Sequence, residues 1–400
     1  MRKRLCLVGS ILLSVVFVSG CGSGSSNGTP PPAPKAEFLY TIVDSGSPPN
    51  ISFELSSFKL DTSTGGLTPT STQPWSQLYP QFVVDPASKF VYASGLGAPG
   101  VGIFSVGIFS LDPTTGIPDP DPSFFIPTNI CGVGCTPNID PGYLAVDPNG
   151  KYLFYGSASF GLPQPQIGAL SVNSSTGTLS MVNGSPFPAS QMPFAVLVHP
   201  SGKFVYTEDI STAPFALTSV SAFGVDSANG ALSQVAGSPF TVGNASPVGF
   251  AIDPSGKFLY AATGLAANGV LGWQIDSTTG ALSPLPGSPF QPGASTLGAA
   301  FDTSGRFFYT SAGAAGGISG FSVDSNTGAL TPLSGSPFLS NMVVSAPTFD
   351  PSGKFAYSPD FVNKAIAGFG VNSATGALTP LGSSTNLGGH VGSLVIIKAP

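Results

Sequence analysis

Repetition is what most constrains this chain. Two phrases recur along it, and their period fixes the architecture. The first, Asp-Pro-Ser-Gly-Lys-Phe-x-Tyr, is complete at Asp253 to Tyr260 and Asp350 to Tyr357, with variants at Asp85 to Tyr92, Asp147 to Phe154, His199 to Tyr206 and Asp302 to Tyr309. The second runs hydrophobic, Asp or Asn, then Ser-x-Thr-Gly-Ala-Leu, and Gly-Ser-Pro-Phe usually follows. Its glycines, Gly65, Gly116, Gly177, Gly230, Gly280, Gly328 and Gly376, are spaced by 51, 61, 53, 50, 48 and 48 residues. Seven units of about fifty residues result.

Each phrase is a turn for a physical reason. In Asp-Pro-Ser-Gly the Asp caps the turn, Pro presets φ and Gly sits at i+3, the preferences of a type I turn. Short apolar runs flank it, Phe250 to Ile252 before and Phe258 to Tyr260 after. The second phrase likewise joins two runs, such as Val270 to Ile275 and Leu282 to Leu285, with Gly free to take φ > 0. Every unit therefore contains four antiparallel strands, A to D, and radial repetition of such units makes a β-propeller. A β-helix is the structural rival, but its coils are shorter than fifty residues. The expected fold is all-β, a seven-bladed propeller of four-stranded blades. Phe38 to Tyr40 matches strand B with no strand A before it, whereas Gly392 to Ile397 matches strand A with nothing after it. The C-terminal strand is thus expected to complete blade one, which removes the sheet edge and makes residues 37–398 one domain.

Composition agrees. Charged residues are only 8%, hydrophobics are 42%, and the 52 Gly and 40 Pro signal dense turns. Thirty Phe and ten Tyr argue against disorder, and a net charge of −6 excludes nucleic-acid binding, which needs a basic face.

The N-terminus gives an address. Residues 1–20 read as a signal peptide: Met1-Arg-Lys-Arg4, then an apolar run from Leu5 to Val18, too short to span a bilayer. Val18-Ser-Gly-Cys21 resembles the lipobox of bacterial lipoproteins, which implies a lipid on Cys21 and a cell-envelope location, periplasmic or surface-exposed. An ordinary secretory signal is the alternative. Residues 21–36 then form the lipidated Cys and a Gly/Ser/Pro tether. Cys131 and Cys135, separated by Gly-Val-Gly, are expected to form a disulfide in that oxidising compartment. A metal site there would need further ligands, and only Asp140 is near, so neither a metal nor any other cofactor is expected.

The two repeat phrases together resemble the lactonase-type seven-bladed propellers, the 6-phosphogluconolactonase-like group, with kinship to YVTN-type surface repeats. The resemblance spans nearly the whole mature chain, but it rests on blade turns and so implies architecture more than activity. A lactonase must activate water and stabilise an oxyanion.

Strand order places the A–B and C–D turns on one, stereotyped face and the B–C and D–A loops on the other, variable face. Binding groups are usually mounted on loops of irregular length. Ten acids (Asp61, Asp85, Asp112, Asp147, Asp226, Asp253, Asp276, Asp302, Asp324 and Asp350) fall in the repeat turns and read as caps, with His199 as a substitute cap. Asp44, Glu54, Asp119, Asp121, Asp140, Glu208, Asp209 and Asp360 are assigned to the variable face, in loops such as 43–53, 208–218 and 118–142. His390 is placed just before the closing strand, near the channel mouth. The favoured expectation is ligand or protein binding on the variable face without catalysis, by a monomer tethered to the membrane through its lipid. Trp75, Tyr79, Glu208, Asp360 and His390 are its candidate contacts. The alternative is hydrolysis of a sugar lactone, with Glu208, Asp209 or Asp360 as base, His390 as partner and Lys364 as a cationic group. A phosphorylated substrate fits poorly, since Arg306 and most of the lysines lie in the repeat turns and strands.

Overall fold

The computed structural model describes residues 36–399 apart from 48–49, 76–81, 97–103, 113, 120–122, 126–140, 158–164, 211–216, 246, 264–268, 292–296, 312–315, 341 and 383. Cys21, Tyr79, Asp121, Cys131, Cys135 and Asp140 lie outside the described residues, as does the side chain of Trp75.

Seven antiparallel sheets make up the fold, each ordered A-B-C-D from one side to the other. Blade four is typical, with Met192–Val198, Phe204–Ile210, Leu217–Val225 and Leu232–Gln234 in succession. Blade one is completed by the C-terminal strand His390–Lys398, which pairs antiparallel with Glu37–Ser47 (Glu37 opposite Lys398, Asp44 opposite His390). The ring therefore closes by joining the two ends of the chain. In blades three, four and seven a further short segment, such as Phe240–Ala245, pairs with strand C, so the outermost strand comes in two pieces. In blades three and four the Gly-Ser-Pro-Phe phrase is the break between the pieces. Its serine hydroxyl accepts a strand C backbone N–H at Ser185–Ala169, Ser238–Ala222, Ser288–Gly272 and Ser336–Gly320, which satisfies a donor that the interrupted ladder would leave bare.

The repeat phrases also build the contacts between blades. At all seven seams the glycine of the C–D turn lies against the ring that opens the Phe-x-Tyr phrase, or its variant, in the preceding blade. In Gly280 a Cβ would come within 2.5 Å of the Phe204 ring, and φ is +76°. Only glycine tolerates both conditions. At five seams the phrase's tyrosine adds a hydrogen bond to that glycine's carbonyl: Tyr40 to Gly116, Tyr206 to Gly280 (2.9 Å), Tyr260 to Gly328 (2.6 Å), Tyr309 to Gly376 (2.7 Å) and Tyr357 to Gly65 (2.8 Å). Tyr92 has no such partner, and blade three carries Phe154 in that place.

The turn acids behave as the sequence predicts. Asp350 accepts Ser352 N–H (3.0 Å) and Phe355 N–H (2.6 Å), and Asp276 accepts Thr278 N–H (2.9 Å) and Thr279 N–H (2.8 Å). His199 substitutes with two bonds of its own. Its Nε2 donates to Gly256 O (2.8 Å) in the next blade, and its Nδ1 accepts Ser201 N–H (3.1 Å). That pattern fixes a neutral imidazole with the proton on Nε2.

Several expected loops are strand. Asn50–Leu60 pairs with Glu37–Ser47 over its whole length, so residues 43–53 form the end of a long hairpin. Glu208 and Asp209 lie inside Phe204–Ile210, Asp360 ends Phe355–Asp360, Trp75 ends Leu67–Trp75, and His390 begins the closing strand. In each case pairing with the neighbouring strand continues past the point at which polar residues suggested a loop: Glu208 opposite Val220, Trp75 opposite Phe53, Asp360 opposite Ala365 and His390 opposite Asp44. Asp119 is on the stereotyped face, not the variable one, because its N–H bonds Ser110 O beside the C–D turn of blade two.

Candidate functional site

A cavity of about 720 Å³ opens at the variable end of the central channel. Its wall comes from the inner strands of blades four to seven and the closing strand, with Phe53, Phe194, Phe250 and Phe361 among its apolar surfaces. Inner strands come very close together here: a Cβ on Gly249 would sit 2.3 Å from Gly298 Cα.

Among the described residues three ionisable side chains line this cavity: Glu208, Asp44 and His390. Glu208 projects from strand B of blade four, opposite Ala195, where the pairing of strand A slips between Pro193 and Ala195. A small residue and a bulge at this point give a second-strand side chain access to the channel. Glu208 is 2% exposed, and its Oε1 has no hydrogen-bond partner. Burial, reinforced by the Asp209 charge, raises its pKa to about 8. At neutral pH Glu208 is thus mainly a protonated acid with an unused oxygen in a cavity, a condition typical of functional sites.

His390 stands at the rim with its Nδ1 3.3 Å from Asp44 Oδ1. Two glycines precede it, and Gly389 is required, since a Cβ there would lie 2.2 Å from Asp44 O. Asp44 was placed on the variable face by sequence, but its pairing with His390 was not foreseen. The signal was available in the antiparallel register of the closing strand against Tyr40 to Asp44.

The other candidates stand apart from the cavity. Asp209 faces the opposite side of its strand, where the hydroxyls of Thr207 (2.7 Å), Ser219 (3.0 Å) and Ser221 (2.6 Å) donate to it. Burial raises its pKa to about 6, although those hydroxyls pull it down. Asp360 caps its own turn, accepting Val362 N–H, Asn363 N–H and the Asn363 amide (2.7 Å). Lys364 is exposed in that turn with φ 50°, and does not line the cavity. Among the described residues no group of three or more His, Cys, Asp or Glu is arranged to hold a metal ion.

A closed ring of seven four-stranded blades around a central channel defines a seven-bladed β-propeller. Residues 178–299, which include Glu208, match the family described as "Lactonase, 7-bladed beta-propeller". No curated protein matches it. Among solved structures it is similar to a candidate 6-phosphogluconolactonase of Bacteroides fragilis (TM-score 0.70, 19% identity, 92% of this chain and 100% of that one). A second candidate 6-phosphogluconolactonase, from Bacteroides uniformis, gives TM-score 0.67 at 18% identity over 91% of this chain and 100% of its own. The periplasmic gluconolactonase PpgL of Pseudomonas aeruginosa gives TM-score 0.67 at 17% identity over 90% of this chain and 100% of its own. At these identities the likeness establishes the fold.

Proposed function

We propose that the protein is a cell-envelope lipoprotein, lipidated at Cys21, which hydrolyses a lactone in the cavity of its variable face. The observation that carries this is the sharing of one cavity by the buried Glu208, whose Oε1 has no hydrogen-bond partner, and the His390–Asp44 pair. In the proposed reaction Asp44, 3.3 Å from His390 Nδ1, attracts the charge that builds on the imidazole as its Nε2 takes a proton from water attacking the ring carbonyl. Glu208 donates a hydrogen bond to the developing oxyanion, an interaction strengthened by its dry setting. Collapse of the tetrahedral intermediate breaks the ring C–O bond. The imidazolium returns its proton to the departing alkoxide, and a hydroxy acid leaves. The chain enters the ring at Glu37 on the stereotyped face, the side opposite the cavity.

Binding without turnover is the second reading. It is favoured by the engagement of Asp209 and Asp360 with their own strands and turns, which leaves the cavity few ionisable groups. Hydrolysis of D-glucono-1,5-lactone by wild type and by Glu208→Gln separates the two. A rate above background that the substitution removes supports hydrolysis. Saturable binding with no rate in either protein supports the second reading.

A further inference from the structure

Resting on the hydrolytic reading, we infer that the site selects an uncharged lactone and rejects one carrying a phosphate or a second carboxylate. The argument is electrostatic and extends over the whole variable face. Beyond the N-terminal 35 residues the chain has nine basic residues: Lys59, Lys89, Lys151, Lys203, Lys257, Arg306, Lys354, Lys364 and Lys398. Six of them follow the A–B turns directly, with Lys89 and Lys151 carbonyls bonding back across the base of strand C. Lys59 pairs with Phe38, and Lys398 with Glu37, at the same stereotyped end. Several are further engaged there, such as Lys151 Nζ with Ser227 O (2.7 Å) and Arg306 with Ser373 O. Only Lys364 is on the variable face, and it does not line the cavity.

The loops outside the described residues do not change this, since residues 76–81, 97–103, 126–140, 158–164, 211–216, 264–268, 292–296 and 312–315 contain no Lys or Arg. A phosphate needs charge-assisted donors, Arg forks above all, to offset its desolvation. This cavity instead offers a carboxylic acid, a carboxylate and an imidazole. An anionic group there meets Asp44 in a partly desolvated setting with no compensating cation. Its approach would also drive Glu208 further toward its neutral form, adding no attraction. The aromatic and small apolar lining suits the faces of an uncharged ring.

The test compares D-glucono-1,5-lactone with its 6-phosphate at equal ionic strength, using the purified protein. The inference predicts kcat/KM at least tenfold higher for the uncharged lactone, with the phosphorylated rate rising on addition of salt while the uncharged rate stays flat. Phe361, half-exposed at the rim, provides a second arm: Phe361→Lys should raise the phosphorylated-to-uncharged ratio about fivefold by supplying the missing cation. Equal or faster turnover of the 6-phosphate overturns the charge inference and leaves lactone hydrolysis standing. No turnover of either ester overturns the hydrolytic reading, and the inference falls with it.

Discussion

The two faces of this ring are made by the same strands, yet they treat buried acids differently. On the stereotyped face the turn carboxylates are saturated by backbone N–H groups. Asp350, for example, takes those of Ser352 and Phe355. Ser63 and Thr64 hold the exposed Asp61 down to about 2. On the variable face Glu208 is buried with Oε1 unpaired, and its pKa moves up. Opposite shifts distinguish Asp61, Asp112, Asp276 and Asp324, exposed in the C–D turns, from Glu208, which faces the cavity. Glu37 is the exception on the stereotyped side: it is buried at the seam where the ring closes, has Oε2 unpaired, and is raised by burial and by Asp350. It does not line the channel cavity, so an unpaired acid needs an accessible space before it points to chemistry.

The largest expected effect is on the structural face. Gly280→Val places a branched side chain at φ +76° against the Phe204 ring, and should cost roughly 3–5 kcal/mol. Urea unfolding measures this; a loss under 1 kcal/mol would mean that the seams are looser than described. Glu208→Gln should act in the opposite sense on the variable face, lowering kcat by on the order of a hundredfold without loss of stability.

The pH dependence follows from the sign of the shift. The Glu208 pKa rises on folding from 4.5 to about 8, so the unfolded chain loses this proton first and native stability falls as pH climbs through that interval. Below pH 4.5 both states are protonated and the penalty vanishes. Thermal unfolding between pH 4.5 and 8 should show a downward slope that is shallower in Glu208→Gln. Activity that needs the acid form should decline as pH passes about 8, and Asp209→Asn should move that decline to lower pH, because it removes the neighbouring charge.

A smaller comparison tests the seams. Tyr260→Phe deletes a 2.6 Å bond to Gly328 and should cost about 1 kcal/mol, whereas Tyr92→Phe deletes a hydroxyl with no partner and should cost close to nothing. Equal losses would show that the hydroxyl bond is not what separates those seams.

The ring was legible in the sequence because its turns are local. Asp-Pro-Ser-Gly and Thr-Gly each encode their own geometry, and the missing strand A before Phe38 announced the closure with Gly392 to Ile397. The pairing of the Phe204 ring with Gly280 was not legible, since it joins two phrases from successive blades and no single phrase carries it. Glu208 was identified as a candidate but assigned to a loop. Its polar run, Thr207-Glu-Asp209, sits inside a strand that buries charged side chains on both faces, against the usual alternation. Asp209 and Asp360 looked equivalent to it by position and chemistry. Their separation comes from side-chain direction and from the hydroxyls of Ser219 and Ser221 on the neighbouring strand, neither of which one sequence displays.

Site-resolved carbon NMR of the Glu208 carboxyl, assigned by its loss in Glu208→Gln and followed through a pH titration of the folded protein, tests the account most directly. The account predicts a midpoint near 8 that shifts when a sugar lactone or its acid is added. A midpoint near 4.5, unmoved by ligand, would show a solvated carboxylate with no part in the cavity and would contradict it.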